Sequence, residues 1–177
     1  MLRPHDLGCA LQIGIWAERE WSFADLGQAV KISKGEAHNA CRRLVWAELC
    51  TLSPEGKIRI SSARLIDFIV HGAPSAYFPV RGAVEHGMPT GAFAPPLVEK
   101  ITDAGNIPLV WRTEGGKVKG ETLVPLWPTA PEAAAASTKL YELLALVDAV
   151  RTHGGKARKL AASELETRLT PPTRKAA

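Results

Sequence analysis

Lys34, His38, Asn39 and Arg42 follow one another at spacings that a helix turns into a single row. At about 100° per residue, these side chains and Gly35 fall on one side, while Ala37, Ala40, Cys41 and Leu44 fall on the other. The first side offers hydrogen-bond donors and no acid. Those types match the edges of base pairs: an asparagine amide can pair with adenine at two points, an arginine with guanine, and a lysine with phosphate. The chemistry implied is recognition of nucleic acid, not bond making. Arg43 stands at the edge of the exposed arc, and His38 either reads a base or simply fills surface.

Bond-making chemistry finds less support. A catalytic reading would recruit His71, Arg81, Glu85, His86 or Asp103, but no nucleophile and base fall into a known spacing, and no glycine-rich loop joins a strand to a helix. Turn and capping roles are expected for these residues, and no enzyme activity. Cys9, Cys41 and Cys50 are odd in number, lack a C-x-x-C spacing and sit in apolar patterns, which predicts reduced core thiols, no disulfide scaffold and no metal site. No cofactor is expected.

The elements that position the donor row follow from caps and periodicity. Leu7, Leu11 and Ile15, with Cys9 and Ala10, predict a first helix that closes at Glu18, Arg19 and Glu20. Ser22, with Asp25 three residues on, opens a short second helix, and Lys31-Ile32-Ser33 interrupts the pattern. Ser33 and Glu36 form a capping box that starts the third helix, the one carrying the donors. Glu48 to Leu52 and Lys57 to Ile60 read as strands around Ser53-Pro54-Glu55-Gly56, a hairpin loop. Ser62 caps a further helix, with Leu65, Ile66, Ile69 and Val70 apolar, ending at His71-Gly72.

Three helices, a three-residue break before the third and a hairpin are the order of a winged helix-turn-helix. The segment Glu20-Trp21-Ser22-Phe23-Ala24-Asp25-Leu26 and the segment Ile32 to Leu44 resemble bacterial winged-helix transcriptional regulators, the broad MarR-like group, over about 60 residues. Gly27 and Gly35 depart from the usual pattern, since glycine inside a helix costs about 0.5 to 1 kcal/mol relative to alanine. The resemblance implies a cytoplasmic regulator, most simply a repressor, that binds double-stranded DNA.

Charge agrees with that reading. The whole chain of 177 residues is only mildly basic, with a formal charge of +4, so distribution matters more than the sum. Residues 31 to 64 hold Lys31, Lys34, Arg42, Arg43, Lys57, Arg59 and Arg64 against Glu36, Glu48 and Glu55, a local excess of four. The predicted DNA-binding set is therefore Ser33, Lys34, Gly35, His38, Asn39, Arg42 and Arg43 on the third helix, with Lys57 and Arg59 on the hairpin. A protein-docking role for the same module is the weaker alternative. No apolar run approaches the roughly 20 residues of a membrane span, and no signal-peptide pattern opens the chain, so a cytoplasmic address without membrane contact is expected.

Composition shifts at Gly72: two prolines precede it and nine lie between residues 73 and 131. The expected domains are a winged helix over 1–72 and a mixed domain over 73–177, giving an α+β chain. In the latter, Leu109-Val110-Trp111 and Val118 to Leu126, joined by Glu114-Gly115-Gly116-Lys117, read as a β-hairpin. Pro131-Glu132 starts an Ala-rich turn, and Leu140, Leu143, Leu144, Val147 and Val150 form an apolar stripe on a following helix. A last helix spans about 156–169, before a polar tail with Pro171-Pro172. Leu140, Leu143, Leu144 and Val147 serve either as core or as the interface of a homodimer or partner. The partner alternative is a cognate toxin: AbiEi-type antitoxins likewise join an N-terminal winged helix to a partner-binding C-terminal domain, a likeness of architecture. Such an antitoxin would repress its own operon.

Overall fold

Two serines fix the starts of the second and third helices in the computed structural model, which describes residues 1–17, 19–101, 105 and 107–170. Glu18, Asp103 and the Pro171-Pro172 tail lie outside the described residues. Helix α1 (Pro4–Trp16) begins with its proline at the first turn, where a missing N–H costs nothing. Before α2 (Phe23–Val30), Ser22 Oγ accepts the Asp25 N–H at 3.2 Å and the Asp25 carboxylate accepts the Ser22 N–H at 2.8 Å. Before α3 (Lys34–Trp46), Ser33 Oγ accepts the Glu36 N–H at 3.1 Å. The expected return bond from Glu36 is not made, because Arg3, His5 and Arg43 draw its carboxylate sideways. The α2–α3 turn passes through Lys31 at φ 59°, and the Ile32 N–H donates back to the Gly27 carbonyl at 2.9 Å. A Cβ at Gly27 would stand 2.8 Å from the Ile32 oxygen, so this glycine is what lets the turn fold against the helix.

The hairpin forms as the sequence predicts. Strands β1 (Cys50–Leu52) and β2 (Ile58–Ile60) pair antiparallel, with Cys50 opposite Ile60 and Thr51 opposite Arg59. The helix after it does not stop at Gly72. Helix α4 (Ser62–Asp67) runs through a π turn at Phe68–Gly72 into α5 (Ala73–Ala76), so the position where composition shifts lies inside a continuous helical path. Ser62 donates its hydroxyl to the Leu169 carbonyl at 2.7 Å and makes no cap.

The second half corrects the sequence reading in one respect. The long strand β3 (Arg81–Pro89) arises in a segment that reads as irregular, and both β4 (Leu109–Arg112) and β5 (Val118–Leu123) pair antiparallel to it. The latter two therefore run parallel, with Leu109 opposite Glu121, and the expected β-hairpin between them does not exist. The three strands close into a small barrel, so pairing to a distant strand overrides the local glycine turn. Helices α6 (Ala130–Ala136), α7 (Thr138–Thr152) and α8 (Gly155–Leu169) follow. The chain is thus mixed α+β, and among the described residues no helix is long and apolar enough to cross a membrane.

One apolar core runs across the composition boundary. It joins Leu7, Leu11 and Ile13 of α1, Leu44 of α3, Leu140 and Leu144 of α7 and Leu165 of α8. Polar ties reinforce it: the Trp127 indole donates to the Val30 carbonyl at 3.1 Å, and Thr129 Oγ1 to that of Lys31 at 2.9 Å. In the second half a buried carboxylate organises the elements. Asp148 accepts from Thr90 Oγ1 and Trp111 Nε1, each at 2.8 Å, and from Arg151 at 2.6 Å, while Arg151 Nε donates to the Tyr77 carbonyl at 2.7 Å. Burial pushes the Asp148 carboxyl up, against the pull of Arg151 and the two neutral donors.

Candidate nucleic-acid interface

Helix α3 lies with Ala37, Ala40, Cys41 and Leu44 buried, as its period requires. Lys34, Gly35, His38, Asn39 and Arg42 are exposed on the other side. Ser33 is exposed too, but its hydroxyl is occupied by the Glu36 N–H, leaving it a structural part of the site. His38 and Phe23 pack edge to face, with ring centres 4.9 Å apart, which ties the donor face to α2. Lys57 and Arg59 project from the hairpin, and Lys57 Nζ stands 3.4 Å from Glu20 in an exposed pair. Together with Arg19, Trp21, Phe23 and Lys34 they line an open groove of about 420 Å³ between α2, α3 and the hairpin.

Two of the predicted sets are corrected. Arg43 does not join the donor face: its Nε and Nη2 each donate to an Asp6 oxygen at 2.7 Å, and Nη2 also reaches Glu36 at 2.5 Å. Its side chain is 14% exposed and Asp6 is fully buried. The hydrogen bonds that Arg43 donates to Asp6, then to Glu36, push the guanidinium further toward permanent charge, and Arg43 in turn holds the Glu36 carboxyl below its usual range. A residue so neutralised ties α1 to α3 and adds no unpaired charge to the donor face. The stripe Leu140, Leu143, Leu144 and Val147 is likewise no interface, since none of the four is more than 2% exposed. Helix α7 is wrapped by α1, α6 and α8 of its own chain, and the stripe is core.

Sequence reasoning also missed residues. Trp46 ends α3 with 72% of its surface exposed, and Arg42 lies over its ring at 4.9 Å from the centre. Trp46 follows Asn39 by seven residues and Arg42 by four, so the same helical period that selects the donors selects it. Arg3 and the first two residues lie alongside, closing a second open groove of about 440 Å³ with Asn39, Arg42, Arg43 and Trp46.

The residues weighed for catalysis are spread apart or engaged. His71 stands exposed beside Asp67 at 3.9 Å, and Arg81 pairs with Glu121 at 2.9 Å. Glu85 and His86 line a shallow groove with Arg112, but Arg112 holds Glu85 at 3.0 Å. The three cysteines are free and buried, and burial raises all three thiols, Cys41 and Cys50 to about 12. Among the described residues His5, Asp6 and Glu36 present oxygen or nitrogen atoms within 4.8 Å of one another, as a metal site would. The Arg43 guanidinium already occupies the carboxylate oxygens there, and its positive charge opposes a cation. No protein-family model, curated protein or solved structure matches the chain.

Proposed function

We propose that this protein is a sequence-specific regulator of transcription, in the simplest form a repressor, which binds double-stranded DNA through a winged helix formed by α1 to α3 and the β1–β2 hairpin. The observation that carries the reading is the row Lys34, His38, Asn39 and Arg42, exposed on α3 with no carboxylate among them. Placed in the major groove, Asn39 and Arg42 would contact base edges, while Lys34, Lys57 and Arg59 would meet the phosphates on either side. Arg43 is excluded, so the local charge available to DNA is smaller than a count of residues suggests.

One such module covers few base pairs, and useful affinity generally comes from two copies on a pseudo-palindrome. A homodimer is part of the proposal, through a surface other than the buried α7 stripe. Selection of bound fragments from a random duplex pool by the full chain, with oligomeric state measured in the same buffer, tests the whole reading. An enriched motif is expected. Asn39→Ala should weaken binding to it by about 1 to 3 kcal/mol, whereas Lys57→Ala should weaken all sequences alike. No enrichment, or a motif indifferent to Asn39, overturns the proposal.

A second reading rests on a separate observation. Phe78, Val80 and Val124 are exposed, Phe78 at 67%, and the Val124 N–H donates to the Val80 carbonyl at 2.9 Å, which sets exposed apolar residues on neighbouring segments outside the DNA module. An antitoxin that represses its own operon would use such residues for its toxin. A neighbouring gene whose product is lethal alone and is bound stoichiometrically by the full chain would favour it, and loss of that binding in Phe78→Ser would locate the contact.

A further inference from the structure

An exposed tryptophan at the end of the helix that carries the donors calls for a role, because indoles are among the more buried side chains on average. Trp46 shares its helix face with Asn39 and Arg42, and the Arg42 guanidinium lies over its ring at 4.9 Å. Among the described residues no carboxylate pairs with Arg42, since Glu36 is taken by Arg3, His5 and Arg43. Among the described residues the arginine's electrostatic partner is thus the ring face.

That arrangement has two consequences. A guanidinium held over an indole has N–H groups left to donate, so Arg42 is oriented before DNA arrives and loses less freedom on binding than an arginine waving in solvent. A guanidinium that donates two bonds to guanine O6 and N7 must also lie nearly in the plane of that base. The indole on its face is then carried over the neighbouring base pair and not over the guanine. The apolar group that a base pair shows in the major groove is the C5-methyl of thymine.

We propose that Arg42 and Trp46 act as one reading unit for a guanine with a thymine beside it, Arg42 taking the guanine edge and Trp46 the thymine methyl. The inference rests on the proposal that α3 enters the major groove, and it adds Trp46 as the residue that positions Arg42 and selects the adjacent base. Arg3, at the wall of the same groove, would face the backbone on that side.

The test uses the full chain and the duplex enriched from the random pool. The guanine whose recognition Arg42→Ala abolishes is located first, and the thymine beside it is then replaced by deoxyuridine, which removes the methyl and nothing else. Wild-type protein should bind the uracil duplex about fourfold more weakly, the worth of one buried methyl group. Trp46→Ala should bind the thymine duplex more weakly and treat thymine and uracil alike, while Trp46→Phe keeps part of the discrimination. Because the indole is exposed, melting temperature should be unchanged in both variants. The inference is overturned if the enriched motif has no thymine beside that guanine, or if Trp46→Ala still separates thymine from uracil by the wild-type factor. Those results leave DNA binding standing. Failure to enrich any duplex removes the DNA reading and this inference together.

Discussion

Helices α3 and α7 both invite a functional reading from sequence, and the fold puts their marked faces on opposite sides of the solvent boundary. On α3 the marked face is polar, and it stays outside because burying Lys34, Asn39 and Arg42 without partners would cost far more than their packing returns. On α7 the marked face is apolar, and it goes inside: Leu140, Leu143, Leu144 and Val147 meet α1 and α8 of the same chain. The lesson is an asymmetry. An apolar stripe states that something must cover it and is silent on what does, whereas an acid-free row of donors restricts its own surroundings to water or an anionic partner.

The sharpest way to break this comparison is to truncate the stripe. Leu144→Ala should destabilise the monomer by about 2 to 5 kcal/mol, the range for a large side chain removed from a packed core. Urea unfolding at several protein concentrations checks it: the midpoint should fall without becoming more dependent on concentration. A variant that melts like wild type but dissociates would return the stripe to an interface.

Neighbouring arginines give a finer version of the contrast. Arg43→Ala leaves the buried Asp6 carboxylate with the Arg3 N–H and His5 but without its bidentate partner, and should cost about 1 to 3 kcal/mol of stability. Arg42→Ala removes an exposed side chain and should stay within about 0.5 kcal/mol, while DNA affinity falls instead. Thermal melts and binding titrations of the two variants should thus move in opposite columns. Equal losses in both would mean that the two residues share one environment.

The same contrast explains what sequence could and could not supply. The starts of α2 and α3 were legible because Ser22, Asp25 and Ser33 act on groups three residues away, and the β1–β2 hairpin because Pro54 and Gly56 sit between two short strands. Arg43 was not, since its partner Asp6 lies 37 residues back in the chain. Strand β3 was hidden for another reason: its residues Arg81 to Val84 are exposed, so no alternation of buried and exposed positions marks it. The parallel pairing of β4 and β5 exists only through β3 and is invisible locally. Trp46 was within reach, as the helical period that selects Asn39 and Arg42 also selects position 46.

The smallest expected effect comes from Glu36, which sits on α3 between the two kinds of face. Hydrogen bonds from Arg43, then His5, hold its carboxyl below the usual range, outweighing the cost of partial burial, and Arg3 adds a third contact at 3.2 Å. An acid whose folded value is depressed contributes stability that is fully present above its unfolded value, about 4.3, and that disappears as pH falls through the lower folded value. At neutral pH, Glu36→Gln should therefore cost stability, by under about 1 kcal/mol for a carboxylate 26% exposed. The gap between wild type and variant should narrow as pH drops below the unfolded value and through the lower folded one, until wild-type Glu36 is protonated and resembles glutamine. Asp25, whose carboxyl is lowered by Ser22, gives the whole protein an acid limb of its own, so the informative quantity is the difference between the two melting curves at each pH. A gap that stays constant from pH 7 to about pH 3 would show that Glu36 acts on α3 through packing and not through charge, and would move it from the ionic tie of Arg43 to the neutral part of the helix.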